Sequence, residues 1–248
     1  CKKYNLMLIE DCCESMGAKY KDKYVGSFGR VASFSFYYSH HITTLEGGIC
    51  VTNDFDLSEM MRIVRAHGWV RQVEDRKKWT NLYKDFDPKF LFVNDGYNLR
   101  ITEPQAAMGM LQIDKIDGFI KSRQENATKY SNKLNHLKDF FSFQVSTKDA
   151  ENSHFGFPLV LKNKKYFDRD EICNFLNKNG IETRPIIAGN LARQPANNLF
   201  EHRISGNLKN SDFIMDYGFS VGVHQSLSDD SINYVVDKII EFINLRTK

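Results

Sequence analysis

The cysteine pattern supplies neither a disulfide framework nor a structural zinc site. The five cysteines, Cys1, Cys12, Cys13, Cys50 and Cys173, are odd in number, two are adjacent, and none forms a C-x-x-C pair. Such a set fits thiols kept reduced, and a cytoplasmic location is expected. No apolar run approaches the roughly 20 residues that cross a bilayer, and nothing at the start resembles a signal peptide, so no membrane partner is expected. Basic runs are also missing. The 34 Lys and Arg nearly balance 31 Asp and Glu, leaving a net charge of +3 and no stripe for a nucleic acid. An initiating methionine is absent too: Cys-Lys-Lys-Tyr leads directly into an apolar run, which reads as a piece of a longer protein.

What is present suffices for a real core. The chain has 248 residues, 42% hydrophobic and 13% aromatic, enough for one large domain or two smaller ones. Residues 6–9, Leu-Met-Leu-Ile, read as a strand covered on both faces, ended by Glu10 and Asp11, with a brief helical turn over 12–18. A carboxylate at such a strand end either faces a ligand or caps the turn that follows. Residues 20–28 read as a hairpin or loop. Ser-Phe-Ser-Phe at 33–36 alternates as a strand does, then meets His40, His41 and a Glu-Gly-Gly turn at 46–48. Open α/β folds place ligands at such carboxyl ends of strands. Residues 49–52 make a further strand, and Leu57, Met60, Met61 and Val64 give 56–69 a helical apolar face. The stretch 70–95 lacks periodicity, but its aromatics predict an ordered loop. Thr102 ahead of Glu103-Pro104 is an N-cap for the next helix, and 119–137 forms another, a connector.

The pattern changes near residue 139, giving expected domains of 1–138 and 139–248. The second reads as a small α+β domain: strands at 155–161 and 181–187, a helix over 168–179 stopped by Gly180, and a last helix capped by Ser228.

Four segments occur in an order that carries a resemblance: Glu-Asp-Cys-Cys-Glu-Ser-x-Gly at 10–17, Ser-Phe-Ser-Phe at 33–36, Glu-Gly-Gly at 46–48 and Gly-Tyr-Asn-Leu-Arg at 96–100. Together they resemble the DegT/DnrJ/EryC1/StrS family of pyridoxal-phosphate enzymes acting on nucleotide-linked sugars. The resemblance implies an α/β, aspartate-aminotransferase-like fold (type I), present here as the C-terminal part of the large domain plus the small domain, with the N-terminal portion absent. It covers nearly the whole chain. One position departs from the family. Members of the family ordinarily carry a lysine five residues after the serine matching Ser35, bonded to the cofactor as a Schiff base. Here that residue is His40, and no lysine lies between Lys23 and Lys77. Imidazole forms no stable Schiff base, so the resemblance implies pyridoxal 5'-phosphate or pyridoxamine 5'-phosphate held non-covalently.

A histidine there is similar to the 4-keto-6-deoxy-sugar 3-dehydratases of this family. One branch holds a two-iron cluster on four cysteines; only Cys50 and Cys173 follow the site here, so the iron-free, colitose-type branch is implied and no metal is expected. The implied reaction loads an amino group from glutamate onto the cofactor and removes the C3 hydroxyl of a nucleotide-linked 4-keto-6-deoxyhexose, in a step of surface-glycan synthesis. His40 is the implied base, with a reference imidazole pKa of about 6.5 suited to moving protons at neutral pH, and His41 the alternative. Asp11 would pair with the pyridine nitrogen, Glu14 would contact the ring hydroxyl, and Ser35 would donate to the phosphate. Asn98 would reach the neighbouring subunit's phosphate, implying a homodimer with shared sites. Arg71 and Arg184 are candidates for the substrate diphosphate or the donor carboxylate by two-pronged contacts. Each has a plain alternative: Glu14 an exposed carboxylate, Ser35 a solvent-facing hydroxyl, the arginines ordinary surface cations. The competing functions are a sugar aminotransferase of the same family and an inactive sugar-nucleotide-binding homologue.

Overall fold

The computed structural model describes residues 1–247, and its contacts part the chain into two units, Cys1–Asp117 and Gly118–Lys248. The first unit opens with strands β1 (Ile9–Asp11), β2 (Lys19–Tyr20), β3 (Lys23–Tyr24), β4 (Val31–Ser35) and β5 (Gly48–Val51). β4 is the middle strand of a three-stranded sheet, parallel to β1 and antiparallel to β5. Its sequence, Val-Ala-Ser-Phe-Ser, explains its two faces. Ala32 and Phe34 point one way, and Ala32 is fully buried, while Ser33 and Ser35 point the other. The register sets Asp11 beside Ser33 on one side, and Ser33 beside Cys50 and Ser35 beside Gly48 on the other.

The expected hairpin forms from β2 and β3. The loop after it is tied to β1 by Glu10, whose carboxylate accepts the backbone N–H groups of Gly26, Phe28 and Gly29 at 2.7, 2.7 and 2.5 Å. Burial works to raise the pKa of Glu10, but these three bonds outweigh it and hold the carboxyl below its ordinary value.

Two expectations for this region are corrected. Residues 6–8 make no strand, and Leu6, Met7 and Ile9 are exposed, because no layer of the described residues packs over that run on both faces. Residues 12–18 form two tight turns and no helix: Ser15 N–H donates to Cys12 O, Ala18 N–H to Ser15 O, and Gly17 takes a left-handed conformation.

Helix α1 (Phe55–Val64) starts at Asp54, whose carboxylate accepts the Leu57 N–H at 3.0 Å. Ile63 from α1 packs with Val70, Val73 and Leu91 in a small core. The stretch 70–95 is ordered as its aromatics imply, with Trp69 stacked on Phe90 and Phe92, but it also holds helix α2 (Arg76–Leu82), capped by Asp75. Helix α3 (Glu103–Ile113) begins at Thr102 with a capping box completed by Gln105. Between α1 and α3, residues 96–99 run back along 64–67. Tyr97 N–H donates to Val64 O, His67 N–H to Tyr97 O, and Leu99 N–H to Arg65 O. Only glycine fits here: a Cβ on Gly68, at φ +82°, would lie 1.6 Å from Asn94 O, and one on Gly96 would lie 2.2 Å from Gly68 N.

Helix α4 (Ile116–Leu134) begins at the division between the units, and its Ala127, Tyr130 and Leu134 belong to the core of the second. After it come β6 (Phe141–Phe143), β7 (Ala150–Glu151), β8 (Phe157–Leu161), α5 (Arg169–Lys178), β9 (Thr183–Pro185), α6 (Lys209–Tyr217), β10 (Gly218–Val221) and α7 (Asp229–Thr247). An antiparallel sheet in the order β6-β8-β10-β9 is covered by α5 and α7. Alternation decides which residues face in: Phe157, Leu159 and Leu161 of β8 are buried, as are Ile232, Val236, Ile239, Phe242 and Ile243 at helical spacing on α7. Burying each such side chain contributes roughly 1.5–3 kcal/mol. A buried arginine supports this core from α4. Arg123 donates to Gln225 Oε1 and to the carbonyls of His154 and Phe155, and burial lowers its pKa to about 10.

Candidate active site

The carboxyl ends of β1 and β4 lie side by side, which brings Asp11 and Ser33 together from positions 22 residues apart. Ser33 Oγ donates to Asp11 Oδ1 at 3.5 Å, and the Cys13 N–H donates to the same oxygen at 3.2 Å. The Cys13 side chain turns toward the same pair, its Sγ standing 3.8 Å from Ser33 Oγ. The thiol, the backbone N–H and the hydroxyl together hold the Asp11 carboxyl below its usual range despite partial desolvation. Asp11 therefore braces the turn, and its carboxyl is held ionised. Glu14, half-buried, goes the opposite way: burial first, then the nearby charge of Asp11, push its carboxyl up.

Two residues along the same face of β4 stands Ser35, whose Oγ accepts the Tyr37 N–H at 3.2 Å and keeps its own hydrogen to donate. Its neighbour across β5 is Gly48, so no side chain lies over it from that strand. The backbone also needs glycine there, since a Cβ on Gly48 would lie 2.7 Å from Phe34 O.

The segment after β4 carries the histidine pair. Phe36 closes it at both ends, its N–H donating to Gly47 O and its carbonyl accepting from Thr44 N–H. His40 N–H donates to Tyr37 O, and the two rings meet edge to face at 6.0 Å between centroids. His41 is buried at 1% exposure, so His40 is the member of the pair with surface to offer a ligand.

Helix α3 clamps this segment through two amides that inspection of the sequence does not pick out. Gln112 Oε1 accepts the Thr43 N–H at 3.0 Å while its Nε2 donates to Thr43 O. Gln105 Nε2 donates to Glu46 O at 2.9 Å. The two glutamines are seven residues apart, so they share a helix face. That spacing was the available signal. Ser33 and Cys13 were also missed as members of the site, because their roles depend on strand register.

Asn98 is exposed on the segment 96–99, opposite Ala66 in a short antiparallel bridge. Exposed Arg71 lies over the Trp69 ring at 5.0 Å. In the second unit, exposed Arg184 pairs with Glu182, its Nε donating to Oε1 at 2.8 Å. Among the described residues no group of three or more His, Cys, Asp or Glu side chains is arranged to hold a metal ion. No helix among them is long and apolar enough to cross a membrane.

The profile of the DegT/DnrJ/EryC1/StrS aminotransferase family matches residues 1–240. The chain belongs to that family. Among curated members, the lipopolysaccharide biosynthesis protein RfbH of Salmonella typhimurium is 36% identical over 98% of this chain and 58% of its own length. GDP-4-keto-6-deoxy-D-mannose 3-dehydratase of Escherichia coli is 37% identical over 93% of this chain and 60% of its own. A solved structure of the E. coli dehydratase with bound hydrated PLP superposes with a TM-score of 0.85 at 35% identity, covering 94% of this chain and 60% of that one. A further structure of this kind of dehydratase carries a His→Asn substitution and bound GDP-perosamine, and another replaces an adjacent serine and histidine together. The chain thus spans about 60% of the length of these relatives. The likeness confirms the aminotransferase-type α/β fold.

Within this family fold the residues present fit pyridoxal phosphate. The ionised Asp11 suits a protonated ring nitrogen, Ser35 retains a hydroxyl hydrogen for a phosphate, and no lysine amine occurs anywhere in the β4–β5 connection.

Proposed function

We propose that the protein containing this chain is a pyridoxal-phosphate-dependent 3-dehydratase that removes the C3 hydroxyl of a nucleotide-linked 4-keto-6-deoxyhexose, with glutamate as amino donor. One observation carries the reading: a half-buried imidazole, His40, sits in the turn after β4 where the family's tethering lysine is expected, beside a carboxylate kept ionised at the end of β1. The Ser-His pair at 39–40 supports it, because an adjacent serine and histidine are what the solved dehydratase variant replaces.

When bound, the cofactor supplies the amine that captures the C4 ketone and the ring that accepts electrons. Asp11 holds the ring nitrogen's proton through a charge-assisted bond. Ser35 binds the phosphate, and Glu14, its carboxyl raised by burial, donates to or accepts from the ring hydroxyl. The His40 imidazole takes a proton at the reacting face and returns it to the departing hydroxyl, since His41, the other imidazole of the turn, is buried. Arg71 and Arg184 are assigned to the substrate diphosphate or the donor carboxylate. Asn98 is assigned to the phosphate of a second subunit. Exposed Tyr97 and Leu99 on either side of it, with exposed Met110 and Leu111 on α3, give apolar surface that a homodimer with shared sites would cover. Five free thiols suit a reducing, cytoplasmic setting.

The test is incubation of the full-length protein with pyridoxal phosphate, glutamate and nucleotide-linked 4-keto-6-deoxy sugars, GDP-linked first, followed by mass spectrometry. Loss of the C3 oxygen is expected, and borohydride is expected to leave the cofactor unattached to protein. Replacement of the C4 oxygen by an amino group, with the cofactor fixed to a lysine, would establish an aminotransferase instead. Failure to bind the cofactor or turn over any of these sugars would favour an inactive homologue.

A further inference from the structure

We propose that Cys13 is a positioning residue of the cofactor site, its backbone N–H bonding the Asp11 carboxylate and its thiol bonding the Ser33 hydroxyl that also holds that carboxylate, so that Asp11 is kept toward the ring nitrogen; this rests on the site assignment just given. Asp11 ends β1, and two residues later the chain doubles back so that Cys13 N–H reaches Oδ1 at 3.2 Å. The same turn swings the Cys13 side chain between Asp11 and β4, where Sγ lies 3.8 Å from Ser33 Oγ. Ser33 Oγ closes the ring by donating to Oδ1 at 3.5 Å. Both the backbone and the hydroxyl bond land on one oxygen, so Oδ2 is the oxygen left to receive a ring N–H.

A carboxylate on the last residue of an edge strand has two side-chain torsions to restrain. One N–H bond fixes its distance from the turn but not its rotation. A second donor, the Ser33 hydroxyl of β4, removes that freedom, and the Cys13 thiol steadies that hydroxyl, as a supporting shell does for a charged group that must meet a planar ligand at a set angle. The thiol suits the place because it stays protonated. Burial first, then the Asp11 carboxylate beside it, push the Cys13 thiol up, so it remains a donor at neutral pH instead of becoming a second anion beside Asp11. Cys12 points elsewhere: it is 3% exposed and packed in the core, so the two adjacent cysteines are not interchangeable.

The experiment uses the full-length protein, pyridoxamine 5'-phosphate and the variants Cys13→Ala, Cys13→Ser and Asp11→Asn. In Cys13→Ala the Kd for pyridoxamine phosphate is expected to rise about three- to tenfold, the scale of one weak bond. Cys13→Ser keeps a donor and is expected to restore most of the affinity. Without cofactor, the pH profile of Cys13 alkylation, located by mass spectrometry, is expected to shift to lower pH in Asp11→Asn, because the thiol loses the neighbouring anion. A thiol turned away from Asp11 would not show that shift, and the Cys13→Ser rescue separates positioning from mere proximity. An unmoved alkylation profile overturns the proposal, and so does a Cys13→Ser protein that binds as weakly as Cys13→Ala. If the wild-type protein fails to bind pyridoxamine phosphate, the site assignment itself falls, and the role of Cys13 with it, whatever the alkylation shows.

Discussion

Replacing Gln112 with alanine tests how the His40 segment is held. The side chain makes a two-way bond with one residue of that segment, accepting from Thr43 N–H at 3.0 Å and donating to Thr43 O. A neutral hydrogen bond contributes about 0.5–1.5 kcal/mol net, so losing both costs about 2 kcal/mol. The site is part-buried, which limits how well water can replace the amide. Neighbouring bonds survive the change: Gln105 still reaches Glu46 O, and Thr44 N–H still reaches Phe36 O. The damage is therefore local, a segment that opens more often on an intact sheet. At about 1.4 kcal/mol per factor of ten, 2 kcal/mol corresponds to roughly 30-fold faster exchange of the Thr43 amide.

Hydrogen exchange followed by mass spectrometry on the full-length protein measures this. Peptides covering 36–47 are expected to lose protection while those covering β1 and β4 keep theirs. Sugar turnover is expected to fall at least tenfold, with pyridoxamine phosphate affinity changed less than threefold, because Asp11 and Ser35 lie outside the loosened segment. Gln112→Glu keeps the acceptor but places an oxygen against Thr43 O, so it is expected to resemble alanine more than wild type. Unchanged exchange at Thr43, or full turnover in Gln112→Ala, would refute the idea that α3 sets the position of the imidazole.

Gly68→Ala and Gly96→Ala are each expected to abolish stable folding of the first unit, because each added methyl would meet backbone atoms closer than any side-chain carbon approaches; soluble yield and thermal unfolding check this. Gly180→Ala, at φ +75° in open space, is expected to cost only about 1–2 kcal/mol in denaturant unfolding. Acid should weaken the second unit. Burial lowers the pKa of His154, and burial with the charge of Arg123 lowers that of His224. The unfolded chain then binds more protons below the reference value of about 6.5, so stability present at pH 7 falls as pH drops through 6.5 toward the lower folded values. Urea midpoints at pH 7.5 and 5.5 measure the loss, and His154→Asn, which tolerates the left-handed backbone there (φ +49°), is expected to reduce it. Arg123→Ala leaves Gln225 and the carbonyls of His154 and Phe155 without their donor, with an expected loss of about 3 kcal/mol by the same unfolding assay.

Periodicity made most of the fold legible. Helices with one apolar face, such as α5 and α7, and strands with clean alternation, such as β4 and β8, were readable because each side chain's environment repeats along its own element. The short strands β6 and β10 and helix α6 were not readable. Phe-Ser-Phe and Gly-Phe-Ser-Val are too brief to show a period, and their membership of the sheet is decided by β8, which pairs with both. The apolar run at 6–9 misled for the opposite reason. Its composition promises cover on two sides, and only neighbours in space can supply it.

The candidate site divides in the same way. His40 and Ser35 were legible because a single strand and turn carry both. The apposition of Asp11 with Ser33 was not, since nothing local relates two residues 22 positions apart; it exists because β1 pairs with β4 in one register, Asp11 against Ser33. A slip of one residue would set Asp11 against Ala32 or Phe34, turning it to the face that buries Ala32 and packs Phe34. Cys13 and Ser33 would then lose Oδ1 together, and the carboxylate would be neither held ionised nor aimed. Register is thus the link through which five residues of strand β4 determine whether the site has an anion to offer.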